Sequence, residues 1–150
     1  MKTAIIIGAS TGIGRATALA LSGKYNSISI TSFKHKEELL SLRDELMAKG
    51  CICYCETGDA GDMEFMEKFI QNTIDHLGSD IDLLINNAGI SYVGLINDMT
   101  AQDFDRTMKS NVYSVFNSCR LVVPHMIQHH KGHIINILSL IHISEPTRRS

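Results

Sequence analysis

Gly8-Ala9-Ser10-Thr11-Gly12-Ile13-Gly14 is the stretch on which the fold turns. A short apolar run, Ala4 to Ile7, stands directly before it. Directly after it, Ile13, Ala16, Thr17, Ala20 and Leu21 recur at helical spacing until Gly23. A strand, a glycine-rich turn and a helix therefore follow one another without a linker. Residues without a Cβ let the backbone approach a ligand closely, and the free amides and positive dipole end of a helix favour negative charge, so the turn suits a phosphate. The spacing is G-x-x-x-G-x-G rather than G-x-G-x-x-G, and glycine also fills ordinary strand-to-helix turns. The surrounding chain decides between the two readings.

Outward from this turn the hydrophobic period alternates between two and 3.6. Ser27 to Thr31 reads as a second strand, and Leu39, Leu42 and Leu46 line a helix that ends at Gly50. Cys51 to Cys55 reads as a third strand, followed by a helix lined by Met66, Ile70, Thr73 and Leu77 and closed by Gly78. Ile81 to Ile85 is a fourth strand. Thr100 with Asp103 marks a helix start, and Phe104, Met108, Asn111, Val115, Cys119, Val122 and Met126 trace one stripe of a single helix of about six turns. His133 to Leu138 is a fifth strand. Strands separated by helices call for parallel pairing with right-handed crossovers. The expected fold is α/β, a Rossmann-type doubly wound parallel sheet with helices on both faces and ligands at the carboxyl ends of its strands. The glycine turn then lies at the first βα connection, where a dinucleotide pyrophosphate binds.

Composition removes several classes. The 150 residues are 44% apolar and 20% charged, enough to bury a core, and 14 basic against 16 acidic residues leave no footprint for nucleic acid or an anionic membrane. Four apolar residues at the N-terminus are too few for a signal-peptide core, so a cytoplasmic location is expected. Cys51, Cys53 and Cys55 would share one strand face about 6.5 Å apart, loose for a tetrahedral ion, and read as buried thiols. His125, His129, His130 and His133 lack a complementary ligand set and suit a helix C-terminus. No metal site is expected.

Three more positions suggest chemistry. Asn86-Asn87-Ala88-Gly89 ends the fourth strand with amides and small residues, which fits either a ligand or an Asx turn. Asn111 falls on the apolar stripe of the long helix, where an unsatisfied amide would cost roughly 1–3 kcal/mol, so it either bonds core backbone or serves a site. Ser139 ends the fifth strand at the same edge. After the second strand, Thr31-Ser32-Phe33-Lys34 lacks the carboxylate that receives the ribose hydroxyls in NAD binders. With Arg15, Lys34 and Lys36 nearby, a 2′-phosphate is favoured, hence NADP(H) ahead of NAD(H).

In order along the chain, Gly8-x-x-x-Gly12-x-Gly14, Asp59, Asn86-Asn87-Ala88-Gly89, Asn111 within Lys-Ser-Asn-Val, and Ile134-Ile135-Asn136-Ile137-Leu138-Ser139 resemble the classical short-chain dehydrogenase/reductases. Within that family the style is nearest to 3-oxoacyl-[acyl-carrier-protein] reductases, with a second similarity to the branch that reduces the 5-aminopentanone group on elongation factor P. The resemblance implies that Gly8, Gly12, Ile13 and Gly14 wrap the pyrophosphate, and Ser10, Thr11, Ser32 and Lys34 join them as cofactor-binding candidates. It implies that Asp59 and Ala60 hold the adenine and that Asn87, Ala88 and Gly89 lie along the cofactor. Asn111 would organise a proton-relay water and Ser139 would orient the substrate carbonyl. An NADPH-dependent carbonyl reductase follows, taking a small-molecule or carrier-bound carbonyl substrate and forming a homodimer or homotetramer. A non-catalytic NADP(H)-binding protein is the reading of a different class.

The family's proton donor is a tyrosine in Tyr-x-x-x-Lys. Tyr25, Tyr54, Tyr92 and Tyr113 are followed four residues later by Ser29, Gly58, Ile96 and Asn117. The expectation is that 1–139 are the N-terminal part of one Rossmann domain lacking its later strands and helices, that 140–150 are a non-native tail, and that the chain alone does not turn over.

Overall fold

The first strand, β1 (Thr3–Ile7), is buried along its whole length, as an unbroken Ala/Ile run should be when both faces of a sheet are covered. The computed structural model describes residues 2–137. In chain order, β1 is followed by α1 (Gly12–Leu21), β2 (Ser27–Ser32), α2 (Lys36–Ala48), β3 (Ile52–Thr57), α3 (Met63–Leu77) and β4 (Ile81–Asn86). Then come a short 3₁₀ turn (Ile96–Asp98), α4 (Ala101–Met108), a π-helical segment (Lys109–Tyr113), α5 (Ser114–Gln128) and β5 (His133–Asn136).

All neighbouring strands pair in parallel, in the order β3-β2-β1-β4-β5. The doubly wound sheet expected from the alternating period is therefore the one observed. Chain travel reverses across β1, whose neighbours are β2 and β4, and a crevice opens beyond the carboxyl ends of strands at such a point. Successive side chains of β1 feed two cores. Ala4 and Ile6 pack with Ala18, Leu39, Leu42 and Leu46 beneath α1 and α2, while Ile5 and Ile7 pack with Met66, Phe69, Ile70, Val122 and Met126 beneath α3 and α5. Cys51 joins the first cluster, and the half-buried Cys53 and Cys55 pack against it. Burial pushes the Cys53 thiol up to about 12, which keeps it an inert core group.

Local signals set the helix ends. Asp62 caps α3 by accepting the Glu64 N–H at 3.0 Å. Thr100 and Asp103 form a reciprocal capping box at α4, with Asp103 N–H donating to Thr100 Oγ1 and Thr100 N–H to Asp103 Oδ2.

One expectation fails. The stripe from Phe104 to Met126 does not lie on a single helix, because five π-helical residues separate α4 from α5 and turn the packed face by an extra residue. Phe104 and Asn111 are exposed, and of the stripe only Val122 and Met126 are buried. The packed face instead carries Ser110, Ser114, Asn117 and Ser118. These small polar side chains let α5 approach β4; the Ser114 hydroxyl donates locally to the Ser110 carbonyl at 2.5 Å, whereas Asn117 and Ser118 reach across to Ala60 and Asn86. Strand β5 borders the sheet with its residues exposed.

Candidate functional site

The glycine turn leaves β1 with its backbone tied to the next strand: the Gly8 and Ala9 N–H groups both donate to the Thr31 carbonyl, at 2.9 and 3.0 Å. Gly8 has φ +85°, and a Cβ there would stand 2.6 Å from the Ala88 nitrogen. A Cβ on Gly14 would stand 2.0 Å from the Gly8 carbonyl oxygen and 2.7 Å from Asn87 Nδ2. Both glycines are thus required by close approach, the first also by its left-handed backbone. Thr11 occupies the N-cap of α1 in extended conformation and its side chain does not cap the helix. The first turn, Gly12-Ile13-Gly14-Arg15, carries no acid. The helix therefore presents its unsatisfied amides and positive end to whatever lies beyond the turn, an effect worth about 0.3–1 kcal/mol toward an anion at an exposed end.

Beyond the turn lies a cleft of about 420 Å³. Gly8, Ser10 and Thr11 form one wall, Asn87, Ala88, Gly89 and Ile90 the opposite one, and Ser32, Phe33, Lys34 and His35 the end past β2. The two walls are joined by Asn87 Nδ2 donating to the Gly8 carbonyl at 2.8 Å. A second cleft, about 400 Å³, lies on the other side of the Asn87–Gly89 wall and is lined by Ile13, Ile90, Asn111, Val115, Asn136 and Ile137.

Asn111 sits in the π-helical segment and grips one residue twice: its Oδ1 accepts the Ile90 N–H at 2.8 Å and its Nδ2 donates to the Ile90 carbonyl at 2.7 Å. Of the two roles open to it in the sequence, backbone bonding is realised, although at an exposed position bordering a cleft rather than in the core. Asn111→Ala should lower stability by about 1–2 kcal/mol. The same change should speed hydrogen exchange at the Ile90 amide, and unchanged protection there would show that the wall is held by other contacts.

At the far end Asp59 follows β3. Its Oδ2 accepts from Arg106 Nη1 at 2.9 Å, and its Oδ1 accepts from Arg106 Nη2 at 3.3 Å and from the Gly61 N–H at 2.9 Å. Burial alone would push this carboxyl up. The Arg106 and Gly61 hydrogen bonds and the charges of Arg106 and Lys109 outweigh it and hold the group below its ordinary value. Ala60 is buried, and its carbonyl accepts from Asn117 Nδ2 at 3.0 Å.

The positive wall differs from the sequence expectation. Arg15 turns away onto α2, where it pairs with Glu45 and donates to the Glu38 carbonyl at 2.9 Å. Lys36 begins α2 and is not in the cleft lining. Lys34 is there, its Nζ 5.5 Å from the Phe33 ring centre, as is Arg106, whose guanidinium carbon lies 4.2 Å from the same centre. The Ser32 hydroxyl donates to the Lys34 carbonyl at 2.6 Å and shapes this loop. Arg106 escaped the sequence reading because its partner is 47 residues away and an arginine on a polar helix face reads as solvated. Ser139 and the segment 140–150 lie outside the described residues. Among the described residues no group of three or more His, Cys, Asp or Glu converges as a metal site, and no helix is long and apolar enough to cross a membrane.

A doubly wound parallel sheet with an uncapped, glycine-led helix at its switch point defines a Rossmann-type nucleotide-binding protein. The family profile described as short chain dehydrogenase matches residues 2–147, and the chain belongs to that family of oxidoreductases. It is 31% identical over 140 residues to the 3-oxoacyl-[acyl-carrier-protein] reductase FabG of Staphylococcus aureus strain Mu50, covering 93% of this chain and 56% of that protein. Among solved structures, a 3-ketoacyl-ACP reductase from Sinorhizobium meliloti 1021 superposes with a TM-score of 0.85 at 29% identity, over 91% of this chain and 53% of that one. A metagenomic short-chain oxidoreductase in complex with NADP gives a TM-score of 0.85 at 29% identity, over 93% of this chain and 62% of that one. The chain spans about half the length of the curated relatives it matches.

Proposed function

We propose that this chain is the cofactor-binding part of a cytoplasmic, homo-oligomeric, NADPH-dependent carbonyl reductase whose substrate is a 3-oxoacyl thioester presented on a carrier. The observation that carries the reading is the glycine turn at the switch point, where close backbone packing at Gly8 and Gly14 seats the start of α1 beside the cleft. Gly12, at φ +57°, has open space where a Cβ would stand, and open space beside an unsatisfied helix start fits a pyrophosphate. Gly8, Ser10, Thr11, Gly12, Ile13 and Gly14 would hold it, Asp59 and Ala60 the adenine, and Asn87, Ala88 and Gly89 the length of the cofactor.

The NADP preference rests on charge. Phe33-Lys34-His35-Lys36, directly after β2, holds no carboxylate to repel a 2′-phosphate, and Lys34 lines the cleft with no ion-pair partner among the described residues. The superposing relative solved with NADP supports the same choice. Bound nicotinamide supplies a hydride to the carbonyl carbon. In this chain, Asn111 fixes Ile90 and with it the wall between the two clefts, and its remaining hydrogen-bonding capacity would hold a relay water. Ser139 would orient the carbonyl by hydrogen bond. The proton donor of the family motif, Tyr-x-x-x-Lys, is not present in these 150 residues.

Fluorescence titration of the 150-residue chain should show NADPH binding about tenfold tighter than NADH, equivalent to roughly 1.4 kcal/mol. Equal affinities would remove the NADP preference, and no binding of either would remove the cofactor reading. The chain should bind without reducing an acetoacetyl thioester. Turnover by these residues alone would overturn the assignment of proton donation to the tyrosine motif.

A further inference from the structure

We propose that Arg106 is a positioning residue for the base end of the dinucleotide: it fixes Asp59 so that one free carboxylate lone pair meets an exocyclic amine, and it closes the base end against Phe33. This rests on the cofactor reading above. An ionised carboxylate offers about four lone-pair directions. Three are occupied, two on Oδ1 by Arg106 and Gly61 and one on Oδ2 by Arg106, which leaves one acceptor direction on Oδ2. Arg106 is itself held, because its Nη2 also donates to Ser110 Oγ at 2.9 Å and its guanidinium stacks on the Phe33 ring. The planar fork therefore sets the carboxylate plane rather than merely balancing its charge.

A recess of about 30 Å³ lies beside Asp59 and shares Gly8, Ser32, Phe33, Ala88, Arg106 and Ser110 with the main cleft. That volume admits a group the size of one or two water molecules. It fits an amino substituent and excludes a purine ring. The ring would stay in the main cleft and send only its amine toward Oδ2. The selectivity expected is for a 6-aminopurine over a 6-oxopurine, whose oxygen would face the carboxylate with no proton to donate.

The test compares NADPH with nicotinamide hypoxanthine dinucleotide phosphate, its reduced 6-oxopurine analogue, on the full 150-residue chain. The unmodified chain should favour NADPH by about tenfold or more. Arg106→Ala should cut that ratio below about threefold. It should also make NADPH binding more sensitive to falling pH than it is in the unmodified chain, since Asp59 without its guanidinium protonates at higher pH and a protonated carboxyl no longer offers the same acceptor. Far-UV circular dichroism checks folding. Arg106→Lys, which keeps the charge and loses the fork, should give an intermediate ratio and serves alone if the alanine variant does not fold. An unchanged ratio in the folded variants overturns the proposal, as does an unmodified chain that binds both analogues equally. Failure to bind either one overturns the underlying cofactor reading instead.

Discussion

Gly14→Ala should lower NADPH affinity by at least 100-fold and destabilise the chain by about 1–3 kcal/mol, the usual range for overpacking. Alanine is the better helix former by about 1 kcal/mol, and position 14 lies in the first turn of α1, so propensity alone predicts stabilisation. Contact reverses the sign. The new methyl would lie 2.0 Å from the Gly8 carbonyl oxygen and 3.0 Å from the Ala9 Cα, and neither backbone atom can step aside cheaply. The Gly8 carbonyl already accepts from Asn87, and its N–H is bonded to Thr31. Relief requires α1 to lift off the turn, which takes its amides away from the phosphate position. Gly23→Ala, with open space around it, is the matched control. Isothermal titration with NADPH and urea denaturation of both variants separate the outcomes, and a Gly14 variant with unaltered affinity would dismiss the glycine turn.

Asn86→Ala should cost about 2–4 kcal/mol, through its lost side-chain hydrogen bonds to Ser118, Asn136 and, weakly, Cys119 and the partners left behind in a buried site. Asn86 ends β4 at 4% exposure. Its Oδ1 accepts from the Ser118 hydroxyl at 2.6 Å, and its Nδ2 donates to Asn136 Oδ1 at 2.9 Å. One amide thus ties a strand to the helix above it and to the strand beside it. Beyond the β4 ladder, the bordering β5 depends on this tie, so its amides should lose exchange protection before those of β1 or β2. The double variant Asn86→Ala/Ser118→Ala should be less destabilised than the sum of its singles, because either single change already breaks the one hydrogen bond they share. Additive losses would show that the network is not coupled.

The doubly wound parallel sheet was legible because an apolar run followed by a helical period leaves few topologies for it. Gly8, Ala88 and Asn87 were legible as strand-end residues, and the structure brings them to one cleft. The long helix was misread for a physical reason. A π-turn leaves no mark in hydrophobic spacing, and a face built of Ser110, Ser114, Asn117 and Ser118 looks like a solvated one until its partners are known. Arg15 was placed by its distance along the chain from the glycines, whereas Glu45 on α2 decides where it points. Asn86 drew notice only as part of a turn motif, although its burial makes it the hub of three elements. In each case the deciding contact joins residues far apart in sequence.

The bond from Asn87 to the Gly8 carbonyl spans 79 residues, whereas β1 pairs with β2 across only about 24. Closing the larger loop costs about 1 kcal/mol more chain entropy, so α1 and its glycine turn have their β2 support before the opposite wall arrives. On a chain emerging from the ribosome, the glycine turn and β2 are made before the Asn87 wall that bonds to them. The nucleotide can then act late in folding, by trapping β4 once it docks beside β1.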